Sequence, residues 1–279
     1  MITKRKLYYF FTPSLRYFIR RAYFLPIDVW NSIKGKRDKM IPPQGLISIG
    51  SGDFKKIGEH YLAVFIEHCG LLPEHHVLDI GCGIGRIAIP LTDFLNNQGS
   101  YDGFDVVEKG IRWCKKHIST SFPNFKFLHV DLKNDLYNLK TEQRAKDFIF
   151  PYLDNNFDLI ILTSVFTHML IEDVENYIKE IYRVLKPKGK CLVTFFILNS
   201  ESRNYMKSNH DFNFDINIGN YSLLNQNVKE ANVAYEEEYI INLITQNNLF
   251  IEKTLNGFWS GRPKKESFDF QDTLIISKR

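Results

Sequence analysis

Cysteine is scarce in this chain of 279 residues. Cys69, Cys82, Cys114 and Cys191 are scattered, and no pair has zinc or redox spacing. That excludes a disulfide framework and fits a reducing compartment. No apolar run approaches the ~20 residues of a membrane span. No signal-peptide pattern, internal repeat or low-complexity tract is evident. The expectation is a cytoplasmic α/β protein, large enough for one decorated domain or two small ones.

Charge is unevenly spread. Residues 1–40 hold ten Lys or Arg and two Asp, a net of +8, while the whole chain carries +4. The rest is therefore net −4. A basic, aromatic arm and linker (1–45) precedes a mildly acidic body (46–279), and such a body does not suit nucleic acid. Within the arm, residues 12–25 read as a short amphipathic helix with Thr12 as cap and Pro13 in the first turn. Leu15, Phe18, Ile19 and Ala22 share one face. The arm is expected either to cover the body as a lid, the bland and favoured option, or to touch an anionic membrane through residues 1–25. Gly35, Pro42, Pro43 and Gly45 mark residues 31–45 as a linker.

A helix is expected over Phe54–Cys69, ended by Gly70. Strand and helix signals then alternate. Strands are predicted at Val77–Ile80, Tyr101–Val106, Phe125–Val130, Phe157–Leu162 and Cys191–Ile197. Helices are predicted at Arg86–Asn96, Glu108–Ile118 and Val174–Leu185, with a turn at 186–189. Residues 198–232 break the rhythm and read as a substrate-side insertion. A helix near Glu236–Thr245 and strands near 250–255 and 273–276 close the chain. This alternation predicts a doubly wound α/β sheet with helices on both faces. Ligands in such sheets sit at the strands' carboxyl ends.

The first strand runs into VLDIGCGIGR (77–86). Glycine lets a chain turn sharply and lets a ligand approach the main chain. The helix that follows points its free N–H groups at that ligand. The dinucleotide pattern G-x-G-x-x-G/A fits Gly81 and Gly83 but fails at Arg86. The pattern found is Asp79-x-Gly81-x-Gly83-x-Gly85. An acid inside the strand would repel a pyrophosphate and suits a cationic ligand. Further acids close the next two strands, Asp105 in YDGFDV and Asp131 in FLHVDL. A lone acid there would be a turn residue or a helix cap; three at successive strand ends are hard to explain so.

These residues resemble the cofactor site of class I S-adenosylmethionine (SAM)-dependent methyltransferases, in the small-molecule branch of the type 11/12 kind. NFDLIILTS (156–164) and EIYRVLKPKG (180–189) resemble two further segments of that family, although Lys188 stands where the family has a glycine. The resemblance covers roughly 54–198 and, more loosely, 233–279. It implies a Rossmann-like seven-stranded sheet, mostly parallel with an antiparallel last strand. It implies SAM as cofactor and S-adenosylhomocysteine (SAH) as product. The loop residues Asp79, Gly81, Cys82, Gly83, Gly85 and Arg86 would hold SAM. Asp105 and Val106 would hold the ribose, Asp131 and Leu132 the adenine, and Thr163 would lie beside the methyl group.

The implied reaction moves a methyl group to an oxygen or nitrogen of a small-molecule, sugar- or lipid-linked acceptor. His168 is the candidate base, since an unperturbed imidazole titrates near neutrality; a packing or capping role weighs equally. Ser164 and Phe166 are expected to shape the substrate pocket. Trp259 and Arg262, in the loop GFWSGRPKKE, are placed with the substrate; an aromatic hinge over the sheet edge is slightly favoured there. No N/D-P-P-Y motif follows the fourth strand, and no metal ligand set is evident. The alternatives are a SAM-binding regulator or scaffold without transferase activity and, third, a dehydrogenase.

Overall fold

The computed structural model describes residues 11–35, 38–47, 52–208 and 212–279. Residues 1–10, which open the basic arm, lie outside them.

The helix expected over 12–25 is longer. Helix α1 spans Pro13–Ile33 and passes through Pro26. Thr12 Oγ1 accepts from Leu15 N at 3.4 Å and caps it. The helix takes up the start of the stretch read as linker, which also holds a short 3-10 turn at Gln44–Leu46. Helix α2, Phe54–Cys69, starts where Asp53 Oδ1 accepts from Lys55 N and Lys56 N. It stops at Gly70, whose φ of 64° is left-handed and suits a residue without a Cβ.

The alternating part follows in order: strand β1 (His76–Ile80), helix α3 (Ala88–Phe94), β2 (Ser100–Asp105), α4 (Glu108–Cys114), β3 (Phe125–His129), β4 (Phe157–Leu162), α5 (Ile171–Val184) and β5 (Leu185–Phe195). Helix α4 continues into a π-helical turn at Lys115–Ser119. Then come β6 (Ile197–Leu198), α6 (Ser200–Met206), β7 (Ile216–Asn217), β8 (Tyr221–Leu223), β9 (Val233–Glu236), α7 (Glu237–Gln246), β10 (Leu249–Leu255) and β11 (Asp272–Lys278).

Seven strands form the main sheet in the order β10-β11-β5-β4-β1-β2-β3. β11 is antiparallel to both neighbours, and the pairs among β1 to β5 are parallel. This is the expected α/β sheet with an antiparallel last strand. Successive residues of a strand point to opposite faces. Val77, Leu159 and Leu192 therefore pack on one side with Phe65, Leu91 and Ile111. Leu78, Ile160 and Val193 pack on the other with Ile178, Ile181 and Ile244.

The turn expected at 186–189 lies inside β5. Phe157 pairs with Leu185 and Leu159 with Lys190, so extra residues bulge out of β5. Lys188, at φ 66°, takes the left-handed conformation of that bulge. The stretch 198–232 is built around a second, four-stranded sheet in the order β6-β9-β8-β7. Phe196, Phe214, Met206 and Trp259 fill the core of that part.

Candidate active site

β1 turns on glycines because it must. Gly81 and Gly83 have φ of 76° and 58°. A Cβ on Gly81 would meet Val165 Cγ2 at 2.5 Å, whereas a Cβ on Gly83 would meet nothing within 4 Å. The first glycine lets two loops touch; the second leaves open space above the main chain. Gly85 is also left-handed, but its Cβ position faces Cys114 and Ile118 of the α4 region rather than the cavity. Expected among the cofactor contacts, it stands outside the cavity wall and lets the loop pack on the helix.

Asp105, at the end of β2, holds the loop in shape. Its Oδ2 accepts from Gly83 N at 2.8 Å and its Oδ1 from Val107 N at 2.7 Å. Burial raises its pKa, and these backbone donors pull the other way. Asp79 is 1 % exposed. Its Oδ2 accepts from Tyr101 Oη at 2.6 Å, while its Oδ1 is buried and has no partner among the described residues. Burial pushes its pKa up to about 7. A buried carboxylate with one oxygen unmet is costly unless a donor or a positive charge arrives.

Both acids line a cavity of about 570 Å³ at the carboxyl ends of β1, β2 and β4. Ile80, Cys82, Ile84, Arg86, Val106, Leu132 and Thr163 also line it. Arg86 lies over the Phe54 ring, 5.1 Å from its centroid. Asp131 differs from expectation: it is exposed, and its Oδ1 accepts from Asn138 Nδ2 at 2.8 Å. The wall beside it is made by Val130, Leu132 and Lys133.

Ser164 follows β4 with a left-handed φ of 58°, a strained conformation for a residue with a Cβ. It lines the cavity; its N donates to Thr194 Oγ1 and its Oγ to Gln271 Oε1. Phe166, expected at the substrate, is fully buried in the core against Phe195 and outside the cavity wall. His168 is in the wall. Its Nδ1 lies 3.1 Å from the Glu230 carbonyl oxygen, which can only accept, so Nδ1 carries the proton and Nε2 keeps its lone pair. Burial lowers the imidazole pKa. The geometry thus presents a neutral imidazole.

The Trp259–Arg262 loop serves elsewhere. Trp259 is 1 % exposed, and its Nε1 donates to Asp272 Oδ2 at 2.6 Å. Arg262 pairs with Glu201 Oε1 at 2.6 Å and lies over Tyr205. Neither residue lines the cavity. Both residues are tied by these bonds to β11 and to helix α6 rather than to the cavity wall.

Several cavity residues carried no signal in the sequence. Asn134 Nδ2 donates to the His168 carbonyl and to Glu230 Oε1. Burial raises the pKa of Glu230 to about 7. Tyr61 Oη donates to Asp269 Oδ2 at 3.1 Å, with His60 Nε2 3.9 Å from the same oxygen. Tyr17, Leu46 and Ile47 bring the N-terminal segment into the wall. Glu230 lies 62 residues from His168 and Asp269 lies 208 from Tyr61. No local pattern joins positions so far apart.

The residues fit SAM on three structural grounds. The unmet Asp79 oxygen suits a cationic amino group, the space over Gly83 admits a ligand against the main chain, and Asp105 keeps lone pairs beyond its two backbone bonds. Strand order, glycine loop and strand-end acid together have the form of a class I SAM-dependent methyltransferase. The chain belongs to the methyltransferase-domain family, whose model matches residues 72–250. It is 26 % identical over 161 residues to sterol 24-C-methyltransferase erg6 of Schizosaccharomyces pombe, covering 58 % of this chain and 37 % of that one. It is 25 % identical over 171 residues to the ubiquinone/menaquinone biosynthesis C-methyltransferase UbiE of Wigglesworthia glossinidia brevipalpis, covering 61 % of this chain and 58 % of the relative. The chain thus spans less than two thirds of these relatives' length. Among solved structures, the PH0226 protein of Pyrococcus horikoshii OT3 superposes with a TM-score of 0.56 at 17 % identity, over 84 % of this chain and 95 % of its own. A SAM-dependent methyltransferase of Methanosarcina mazei gives 0.52 at 20 % identity, over 76 % and 96 %. At these identities the two structures establish the shared fold.

Proposed function

We propose that this chain transfers a methyl group from SAM to a small-molecule acceptor, at an oxygen or nitrogen that gives up its proton to His168. The observation that carries the reading is the buried, unmet Asp79 Oδ1 in the same cavity as Asp105 and a neutral imidazole. When bound, SAM supplies an electrophilic methyl on sulfur. The residues' work is placement, and holding reactants in line is worth about 7–11 kcal/mol in favourable cases. Asp79 and the Gly81–Gly83 loop would bind the amino-acid end. Asp105 would take the ribose hydroxyls, and Val106 and Leu132 would flank the adenine. Thr163 and Ser164 would face the reacting end, with His168 Nε2 as proton acceptor. Sugar- and lipid-linked acceptors remain within this reading, because the wall combines Ile47, Ile57 and Met169 with Glu230 and Asp269.

The two relatives carry names of C-methyltransferases, so carbon stands beside oxygen and nitrogen as the atom to be tested. Incubation with methyl-labelled SAM and a host extract, followed by NMR of the labelled product, identifies the acceptor and the bond. The expected result is a labelled small molecule with the methyl on O or N. A methyl on carbon overturns that atom assignment. SAH binding with no labelled product in any extract overturns the transferase reading in favour of a SAM-binding regulator.

A further inference from the structure

Helix α1 packs with the wrong side inward for a soluble helix. At 3.6 residues per turn, Leu15, Ile19, Val29, Trp30 and Ile33 fall on one stripe, with Phe18 at its edge. A stripe of that width normally faces a core. Here it faces outward: Phe18 is 68 % exposed, Trp30 58 % and Ile33 77 %. The opposite side meets the body through polar groups. Asp28 accepts from Gln44 N at 2.7 Å and Gly45 N at 2.9 Å. Lys109 of α4 lies 3.7 Å from the centroid of the Tyr17 ring. Tyr17, on that inner side, lines the cavity.

The helix that carries the stripe is basic. Within 13–35 stand Arg16, Arg20, Arg21 and Lys34 against Asp28 alone. Arg21, Arg112 and Lys140 all act on Lys109 as neighbouring positive charges. Two copies meeting through this face would set these cations against each other. An anionic surface would be attracted by them. Among the described residues no helix is long and apolar enough to cross a membrane, so a helix of this kind lies flat.

We propose that the outward stripe of α1 docks on an anionic lipid bilayer, with Phe18, Trp30 and Ile33 entering the headgroup boundary and the net positive charge of Arg20, Arg21 and Lys34 drawing the helix to lipid phosphates. Docking would hold the cavity wall at Tyr17 about one helix diameter, ~10 Å, from the bilayer. The proposal goes beyond methyl transfer and stands or falls separately from it.

The test is flotation of the full chain with vesicles rich in phosphatidylglycerol and with pure phosphatidylcholine vesicles, at low and high salt. Tryptophan emission is followed in parallel. Expected are binding to the anionic vesicles only, release by salt, and a blue shift that Trp30→Phe removes. The double variant Phe18→Asp/Trp30→Asp should bind at least about tenfold more weakly. Thermal stabilisation by SAH, measured on the same variant, shows that its fold and cofactor site are intact. Absence of flotation at low salt, or equal flotation of wild type and variant, overturns the proposal. So does self-association in sedimentation that the two substitutions abolish, which would give the stripe to a second copy.

Discussion

Asp79 is the residue whose state depends most on whether the cavity is filled. Its native pKa of about 7 stands above the ordinary 3.8. Between those values the folded chain holds a proton that the unfolded chain has released. Asp79's contribution to ligand-free stability should therefore fall as pH rises through that window, by about 1.4 kcal/mol per pH unit at most. Chemical denaturation from pH 4 to 8 should show a falling stability to which Glu230 and Asp272 also contribute, and Asp79→Asn should make the slope shallower by Asp79's share. The same variant should lose affinity for SAH, because an amide offers no charge to an ammonium group. A pH-independent difference between the two proteins would place the titration elsewhere. His168 shifts with the opposite sign: burial moves its pKa below the ordinary 6.5, so the imidazole is neutral at neutral pH. The acid limb of the kcat profile should have its midpoint below 6.5. His168→Ala should abolish that limb and lower kcat while SAH still binds. Equal losses in kcat and in SAH affinity would make His168 a packing residue.

The glycine loop shows what one element does with three similar residues. Gly81 packs against Val165, Gly85 against the α4 region, and Gly83 faces open space. Gly81→Ala should destabilise the fold, since its Cβ would lie 2.5 Å from Val165 Cγ2. Gly83→Val meets no such wall. Its cost is the left-handed backbone, of order 1–2 kcal/mol, and its side chain fills the space meant for ligand. The two variants should therefore separate in one thermal-shift series. Gly81→Ala should melt early yet still gain stability from SAH. Gly83→Val should melt a few degrees below wild type, by the backbone cost alone, and gain nothing. The reverse pattern would contradict this division of roles.

At the scale of the molecule, what could be read in the sequence was what is local in the chain. The loop pattern, Asp105 and the alternating strands each rest on a few neighbouring residues, and they stand at the site and in the sheet. The helix period of α1 was equally plain, but periodicity names a stripe without saying which side the body takes. Trp259 and Arg262 were left between two readings for a related reason. A Trp–Arg loop suits a ligand or a hinge, and the deciding partners lie 13 and 61 residues away. Those partners give the loop its mechanical role. Asp272 accepts from Gly257 N, Ile197 N and Trp259 Nε1, tying the end of β11 to the first residue of the second sheet. Burial raises its pKa to about 6, and these three donors oppose that shift. Trp259→Ala would open a cavity beside Phe196 and Phe214 and withdraw one donor. A loss of about 3–5 kcal/mol is expected from the ring alone. Trp259→Phe should restore much of the packing but not the bond to Asp272. Since Trp259 lies outside the cavity, SAH affinity measured below the melting range should stay the same in both variants. A selective loss of SAH or acceptor binding, with stability unchanged, would return this loop to the substrate site.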